Sequence, residues 1–336
     1  MQIAVIGTTT WGTTLGVILS RRGLSVQMWS RREEEARLLR LERENSRFLS
    51  GITFPESLTV TSSVEEALDE AQIVIFAVPA ASLRHNARSI AKAINSRSVV
   101  LSATKGMEKN TGKRMSQVLM EELPSKMHDM ISVLSGPNLA LEIIQGKPAS
   151  TVVAAVDVAV AMKAQEILMS PLFRVYTNTD VVGVELAGSL KNIIALGAGV
   201  CDGLGYGDNA KAAFITRGLV EITRLGVAAG ASPLTFSGLA GLGDLLATCA
   251  STRSRNRYVG EQLAMGLTLK EVLASMINVA EGVDTTVAAL NMALELDIYM
   301  PITRVIYRIL FDGFDPKEAA SELMVRAPKS ESIESC

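Results

Sequence analysis

The stretch AVIGTTTWGTTLG, residues 4–16, constrains the fold more tightly than any other part of the chain. An apolar run, Ile3 to Ile6, meets Gly7, a short polar turn and Gly12, then a helical pattern carrying Leu15 and Ile18. Strand, glycine turn and helix in that order form the opening unit of a dinucleotide-binding sheet. The complete G-x-G-x-x-G pattern would put glycine at position 9 as well, and this chain has Thr9 there. That second glycine normally lets the backbone come close to a pyrophosphate. A side chain at position 9 therefore predicts a loop that holds its cofactor less closely. Thr8, Thr9 and Thr10 also offer three hydroxyls at the helix start, any of which suits a phosphate oxygen. An ordinary strand–turn–helix with two glycines is the competing reading.

Beyond the opening unit the first half keeps alternating. β-Branched runs at 3–6, 26–29, 73–78, 99–102, 131–134 and 151–154 predict strands, with helical patterns at 80–95 and 113–122 between them. Strands alternating with helices predict parallel βαβ units, hence an α/β fold with a Rossmann-type, doubly wound sheet. From about Asp180 the strand signal ends. Helical patterns at 181–198, 209–229, 270–276, 283–295, 303–310 and 316–324 predict an all-α C-terminal domain. The expected division is 1–179 for a dinucleotide-binding domain, 180–325 for a helical substrate-binding domain, and 326–336 for a disordered polar tail.

Composition narrows the chemistry. A net charge of −2 gives no electrostatic reason to expect nucleic acid or an acidic membrane surface. No apolar run is expected to span a bilayer, and the early first strand leaves no room for a signal peptide, so a cytoplasmic protein is expected. Cys201, Cys249 and Cys336 have no disulfide or zinc spacing, and no metal site is expected. The chain has only two histidines, His85 and His128, neither in a motif, so proton transfer falls to lysine, a carboxylate, tyrosine or water.

Several stretches carry site chemistry. On a helix through VVGVELAGSLKNIIALGAGV, the neighbours of Lys191 at helical spacing are Val184, Ala187, Gly188, Ile194, Ala195 and Ala198. A lysine on such a face either snorkels or is buried for a purpose, and burial would lower its pKa into a useful range. Asp244 and Thr248 stand one helical turn apart in GLAGLGDLLATCASTRSRNRYVG. After them Ser254, Arg255 and Asn256 fit either a small phosphate or a solvated basic turn. Arg31 and Arg32 follow the second strand where an NAD-selective site usually has an acid; they suit a 2′-phosphate or a solvated helix start. Lys105-Gly106 and SGPNLALEI end two further strands at the ligand-binding edge, and Glu281 is a lone carboxylate among apolar residues.

In this order the stretches resemble the bacterial type of NAD(P)-dependent sn-glycerol-3-phosphate dehydrogenase, from AVIG to about Leu323. The resemblance is most specific in VGVELAGSLKNIIALGAGVCDGLGYGDNAKAAFITRG and in the segment around Asp244; VPAASLR, SATKGME, SGPNLA and VAEGVDT also match. It implies reversible reduction of dihydroxyacetone phosphate to sn-glycerol 3-phosphate with NADP or NAD, for glycerophospholipid synthesis, by a homodimer. It implies Lys191 as proton donor and acceptor with Asn192 beside it, Asp244 orienting lysine and substrate, and Lys105 contacting substrate and cofactor. Gly136, Asn138, Thr248, Ser254, Arg255 and Asn256 are implied at the substrate. Gly7, Thr10, Trp11, Gly12, Arg31, Arg32, Phe48, Lys105, Ala140, Arg255, Val279 and Glu281 are implied at the cofactor. Thr9 departs from the family's glycine. The alternatives are a non-enzymatic dimeric scaffold whose cofactor binding is impaired by Thr9, and a related dehydrogenase acting on a hydroxy acid or sugar.

Overall fold

The apolar alternation of Gln2–Ile6 buries both faces of one central strand: Ile3 and Val5 enter one core, Ala4 and Ile6 the core on the opposite face. The computed structural model describes residues 1–276, 279–328 and 330–331. Around that strand (β1) lie β2 (Ser25–Trp29), β3 (Leu58–Thr61), β4 (Ala71–Phe76), β5 (Val99–Ser102), β6 (Ile131–Ser135), β7 (Ala149–Ala155) and β8 (Phe173–Asn178). They form one eight-stranded sheet in the order β3-β2-β1-β4-β5-β6-β7-β8. The chain reverses its direction of travel across the sheet between β1 and β4, and the crevice at their carboxyl ends is where such sheets bind ligands.

Three sequence expectations change. β3 and β8 were not anticipated, because both are edge strands in which apolar residues alternate with polar ones instead of running apolar. The sheet is mixed, since β6 and β7 pair antiparallel with Ser135 opposite Val152. The 13-residue connection between them holds only a five-residue helix, too short to cross back to the other edge of the sheet. Finally, the helix Val181–Gly203 is long and apolar enough to cross a membrane, which the sequence was not expected to supply. It is instead the buried axis of the helical half, where its apolar girth packs against other helices and against β6 and β7.

The helices that shape the site are α1 (Thr10–Ser20), α2 (Glu33–Glu42), α3 (Ala80–Ile90), α4 (Ala140–Ile144), α5 (Val181–Gly203), α6 (Asp244–Ala250), α7 (Arg255–Ala264) and α8 (Glu281–Glu295). Strand ends and helix starts shift by a few residues from the sequence expectation, as terminal turns usually do. Of the tail expected at 326–336, residues 329 and 332–336 lie outside the described residues.

Candidate active site

At the β1–β4 crevice the chain turns through Gly7, whose φ of +114° favours glycine, and enters α1. Gly12 lies so close to the turn that a Cβ there would sit 2.2 Å from the Gly7 carbonyl oxygen. The loop is braced from below: Asn45 Nδ2 donates to the Thr8 carbonyl (2.8 Å) and to Thr13 Oγ1 (2.8 Å). Two of the three threonine hydroxyls are already engaged. Thr8 Oγ1 donates to Glu35 Oε1 (2.9 Å), and Thr9 Oγ1 donates to the Ala77 carbonyl (2.7 Å). Only the Thr10 hydroxyl has no partner among the described residues, so the expectation of three available phosphate donors is corrected to one.

Two cavities meet at this loop. The smaller, about 160 Å³, is lined by Gly7, Thr8, Thr9, Ser30, Arg31, Arg32 and Glu35. Arg31 is exposed there without a partner among the described residues, and Arg32 approaches Glu35 at 3.7 Å. Sequence reasoning missed Glu35, which accepts from both Ser30 Oγ (2.7 Å) and Thr8 Oγ1. The larger cavity, about 420 Å³, runs from Thr9, Thr10 and Trp11 past Phe48 and Ala140 to the helical half. It also holds Asn138, Lys105, Lys191, Asn192, Asp244, Thr248, Ser254, Arg255, Asn256, Val279 and Glu281. Gly12 and Gly136 stand behind its wall, outside its lining.

At its centre Asp244, at the start of α6, is shared by two lysines. Lys105 Nζ donates to Asp244 Oδ2 (2.7 Å) and to the Gly136 carbonyl (2.8 Å), while Lys191 Nζ lies 3.1 Å from Asp244 Oδ1. Lys191 also donates to Thr248 Oγ1 (2.5 Å), which passes its own proton to the Asp244 carbonyl (2.6 Å). Lys191 is buried on α5, and desolvation pulls its ammonium down to about 8 against the attraction of Asp244. A residue that sequence reasoning missed holds the Lys105 turn. Ser189 Oγ, two residues before Lys191 on α5, accepts from Gly106 N (3.0 Å) and donates to the Gly106 carbonyl (3.1 Å).

The basic cluster divides. Arg255 faces the cleft without a hydrogen-bond or ion-pair partner among the described residues, and Arg253, not singled out from the sequence, lines the same wall. Ser254 instead caps α7, accepting from Arg257 N (3.2 Å). Asn256 ties α7 to α5 and α8: its Nδ2 donates to Asn192 Oδ1 (2.9 Å) and its Oδ1 accepts from Gly282 N (2.9 Å). Both were expected to hold phosphate, and both line the cavity beside Arg255 while also building its wall. Asn138 Nδ2 donates to Thr151 Oγ1 (2.9 Å), leaving its Oδ1 buried and unpaired. Glu281 accepts from Ala80 N (3.1 Å) across the two halves; burial pushes its carboxyl up to about 7 against that bond and the Arg255 charge.

This donor set fits a dinucleotide. The first amides of α1, the Thr10 hydroxyl and unpartnered guanidiniums suit phosphate, while Ala77, Val78, Ala103 and Leu141 supply apolar wall between them. Among the described residues, no group of three or more His, Cys, Asp or Glu side chains is placed to hold a metal ion.

Comparison with known proteins agrees. Residues 2–161 match the family described as NAD-dependent glycerol-3-phosphate dehydrogenase N-terminus, and residues 180–321 match its C-terminus. A glycerol-3-phosphate dehydrogenase (NAD(P)+) of Dehalococcoides mccartyi is 53% identical over 324 residues, covering 96% of this chain and 90% of that protein. One from Chlorobium limicola is 48% identical, covering 98% and 99%. The crystal structure of glycerol-3-phosphate dehydrogenase from Coxiella burnetii superposes with a TM-score of 0.91 at 34% identity, covering 97% of this chain and 99% of that one.

Proposed function

We infer from one premise, that this chain belongs to the NAD-dependent glycerol-3-phosphate dehydrogenase family, that it reversibly reduces dihydroxyacetone phosphate to sn-glycerol 3-phosphate. The bound reduced nicotinamide of NADPH or NADH supplies hydride to the C2 carbonyl. The protein's part is to hold that carbonyl and to manage one proton. Lys191, as the ammonium, gives its proton to the C2 oxygen as the alcohol forms, and takes one back in the reverse direction. Its charge also stabilises the oxygen while negative charge builds there.

Asp244 keeps Lys191 charged despite burial and fixes its direction, while Lys105 meets the same carboxylate from the sheet side. Arg255 takes the substrate phosphate as a planar fork, helped by Arg253. Holding the phosphate in this way sets the carbonyl against Lys191. In this reading residues 1–179 carry the cofactor and 180–325 the substrate. The enzyme works in the cytoplasm as a homodimer and feeds glycerophospholipid synthesis. The scaffold alternative rested on Thr9 spoiling the loop, and Thr9 caps the helix of that loop instead.

The observation that carries the reading is one cleft lined by the buried Lys191–Asp244 pair and by Arg255, whose guanidinium makes no hydrogen bond or ion pair among the described residues. The test is NADPH and NADH oxidation with dihydroxyacetone phosphate and with unphosphorylated dihydroxyacetone. Turnover with the phosphate ester, and far less without it, is expected. Equal rates with both ketones, or turnover only with a hydroxy acid or sugar, would overturn it.

A further inference from the structure

The residue that breaks the glycine pattern makes two hydrogen bonds at the mouth of the cofactor crevice. Thr9 has φ −71° and ψ 169°, an extended conformation open to any residue, so nothing in the backbone asks for glycine there. Its Oγ1 accepts from Gly12 N (3.1 Å), the third amide of α1, and sends its single proton to the Ala77 carbonyl (2.7 Å). Ala77 follows β4 directly and hydrogen-bonds to the end of β1, with its N–H on the Ile6 carbonyl (3.0 Å). One hydroxyl thus joins the start of α1 to the opposite lip of the crevice.

We propose that Thr9 is a positioning residue for the dinucleotide pyrophosphate. Its hydroxyl clasps α1 to the end of β4 and holds the loop in its binding shape before the cofactor arrives. Thr9 lines both cavities, so it stands at the waist between them, where a bridging pyrophosphate would pass. Because its proton is committed to Ala77, it does not donate to phosphate itself. It occupies the Gly12 amide and leaves those of Thr10 and Trp11, with the Thr10 hydroxyl, to receive the anion. Glycine at position 9 would leave the Ala77 carbonyl without this donor and would widen the backbone choices of the loop. Valine would keep the branched shape and lose both bonds.

The proposal rests on the dinucleotide reading above and reverses the expectation drawn from the sequence pattern. It is tested with Thr9→Gly, Thr9→Val and Thr9→Ser in the full chain, by NADPH titration of tryptophan fluorescence and by steady-state kinetics. Amide exchange at Gly12 without cofactor reads the clasp directly. The glycine and valine variants are expected to bind NADPH about three- to tenfold more weakly. Their kcat at saturating cofactor should be nearly unchanged and their Gly12 exchange faster, while the serine variant matches the parent in all three. A glycine variant that binds as tightly as the parent or tighter would overturn the proposal, as would a serine variant that behaves like valine. A parent that binds neither NADPH nor NADH would overturn the dinucleotide reading. Gly12 exchange separates the two failures, because an unchanged rate in the valine variant sinks the clasp whatever the cofactor does.

Discussion

Lys191 Nζ stands 3.1 Å from Asp244 Oδ1 with both side chains buried, so the proton-bearing group of the cleft and its counter-charge are fixed together out of water.

Replacing Lys191 with Met keeps the apolar packing of α5 and removes the proton. Turnover should fall by about 10²- to 10⁴-fold. NADPH binding, followed by fluorescence, should persist. A variant with near-normal kcat would assign the proton to another group.

The Lys191 ammonium lies at about 8, below the ordinary lysine value, because burial disfavours its charge. In the proposed mechanism reduction of dihydroxyacetone phosphate uses the protonated form, so its kcat should fall as pH rises through about 8. Oxidation of glycerol 3-phosphate uses the neutral amine and should rise over the same window. Asp244→Asn removes the charge that opposes desolvation and should move both profiles to lower pH. Parallel profiles in the two directions would contradict this assignment.

Arg255→Ala should raise KM for dihydroxyacetone phosphate by roughly 10- to 100-fold, the equivalent of about 1.5–3 kcal/mol for a charged hydrogen bond. Unphosphorylated dihydroxyacetone should react as poorly as before. Equal losses on both ketones would move Arg255 to the cofactor or to the fold.

Much of this cleft was legible because its signals are local. The apolar neighbours of Lys191 lie within two helical turns, and Asp244 and Thr248 share one turn of α6. The supports were not legible. Ser189 meets Gly106 across 83 residues, and Asn256 reaches Asn192 across 64, so no short-range spacing marks either pair. Ser254 and Asn256 have the right chemistry for phosphate, and only the tertiary structure reveals how far caps and cross-braces occupy them. The edge strands β3 and β8 escaped because polar residues interrupt their apolar runs.

Ser189→Ala should leave the fold intact and release the Lys105 turn. A fall in kcat/KM of about tenfold is expected from the loss of hydrogen bonds of about 0.5–1.5 kcal/mol each. The Lys105 side chain should lose its fixed approach to Asp244, shifting the pH profile. Ser189→Thr, which keeps the hydroxyl, should restore most of both. Unchanged kinetics in the alanine variant would make Ser189 a packing residue only.

Arg31 and Arg32 border the smaller cavity, with Glu35 on the same wall. Replacing both arginines with Ala should erase any preference for NADPH over NADH in KM, with little change in kcat. An unmodified protein that prefers NADH would assign that wall to Glu35 instead.

The reversed pairing of β6 and β7 changes what the rim of the sheet can offer a ligand. In an all-parallel arrangement, β7 would begin at the far edge, and the β6 turn would have to hold itself. Here β7 starts at the near edge, so Thr151 accepts from Asn138 Nδ2 and donates to the Ser135 carbonyl (2.8 Å). That crosslink stiffens the Gly136 turn, whose carbonyl oxygen anchors Lys105. Reversing β7, with β8 parallel to it, therefore gives the rim a second rigid post, and the lysine on the sheet side inherits its steadiness from a strand that contributes no residue to the chemistry.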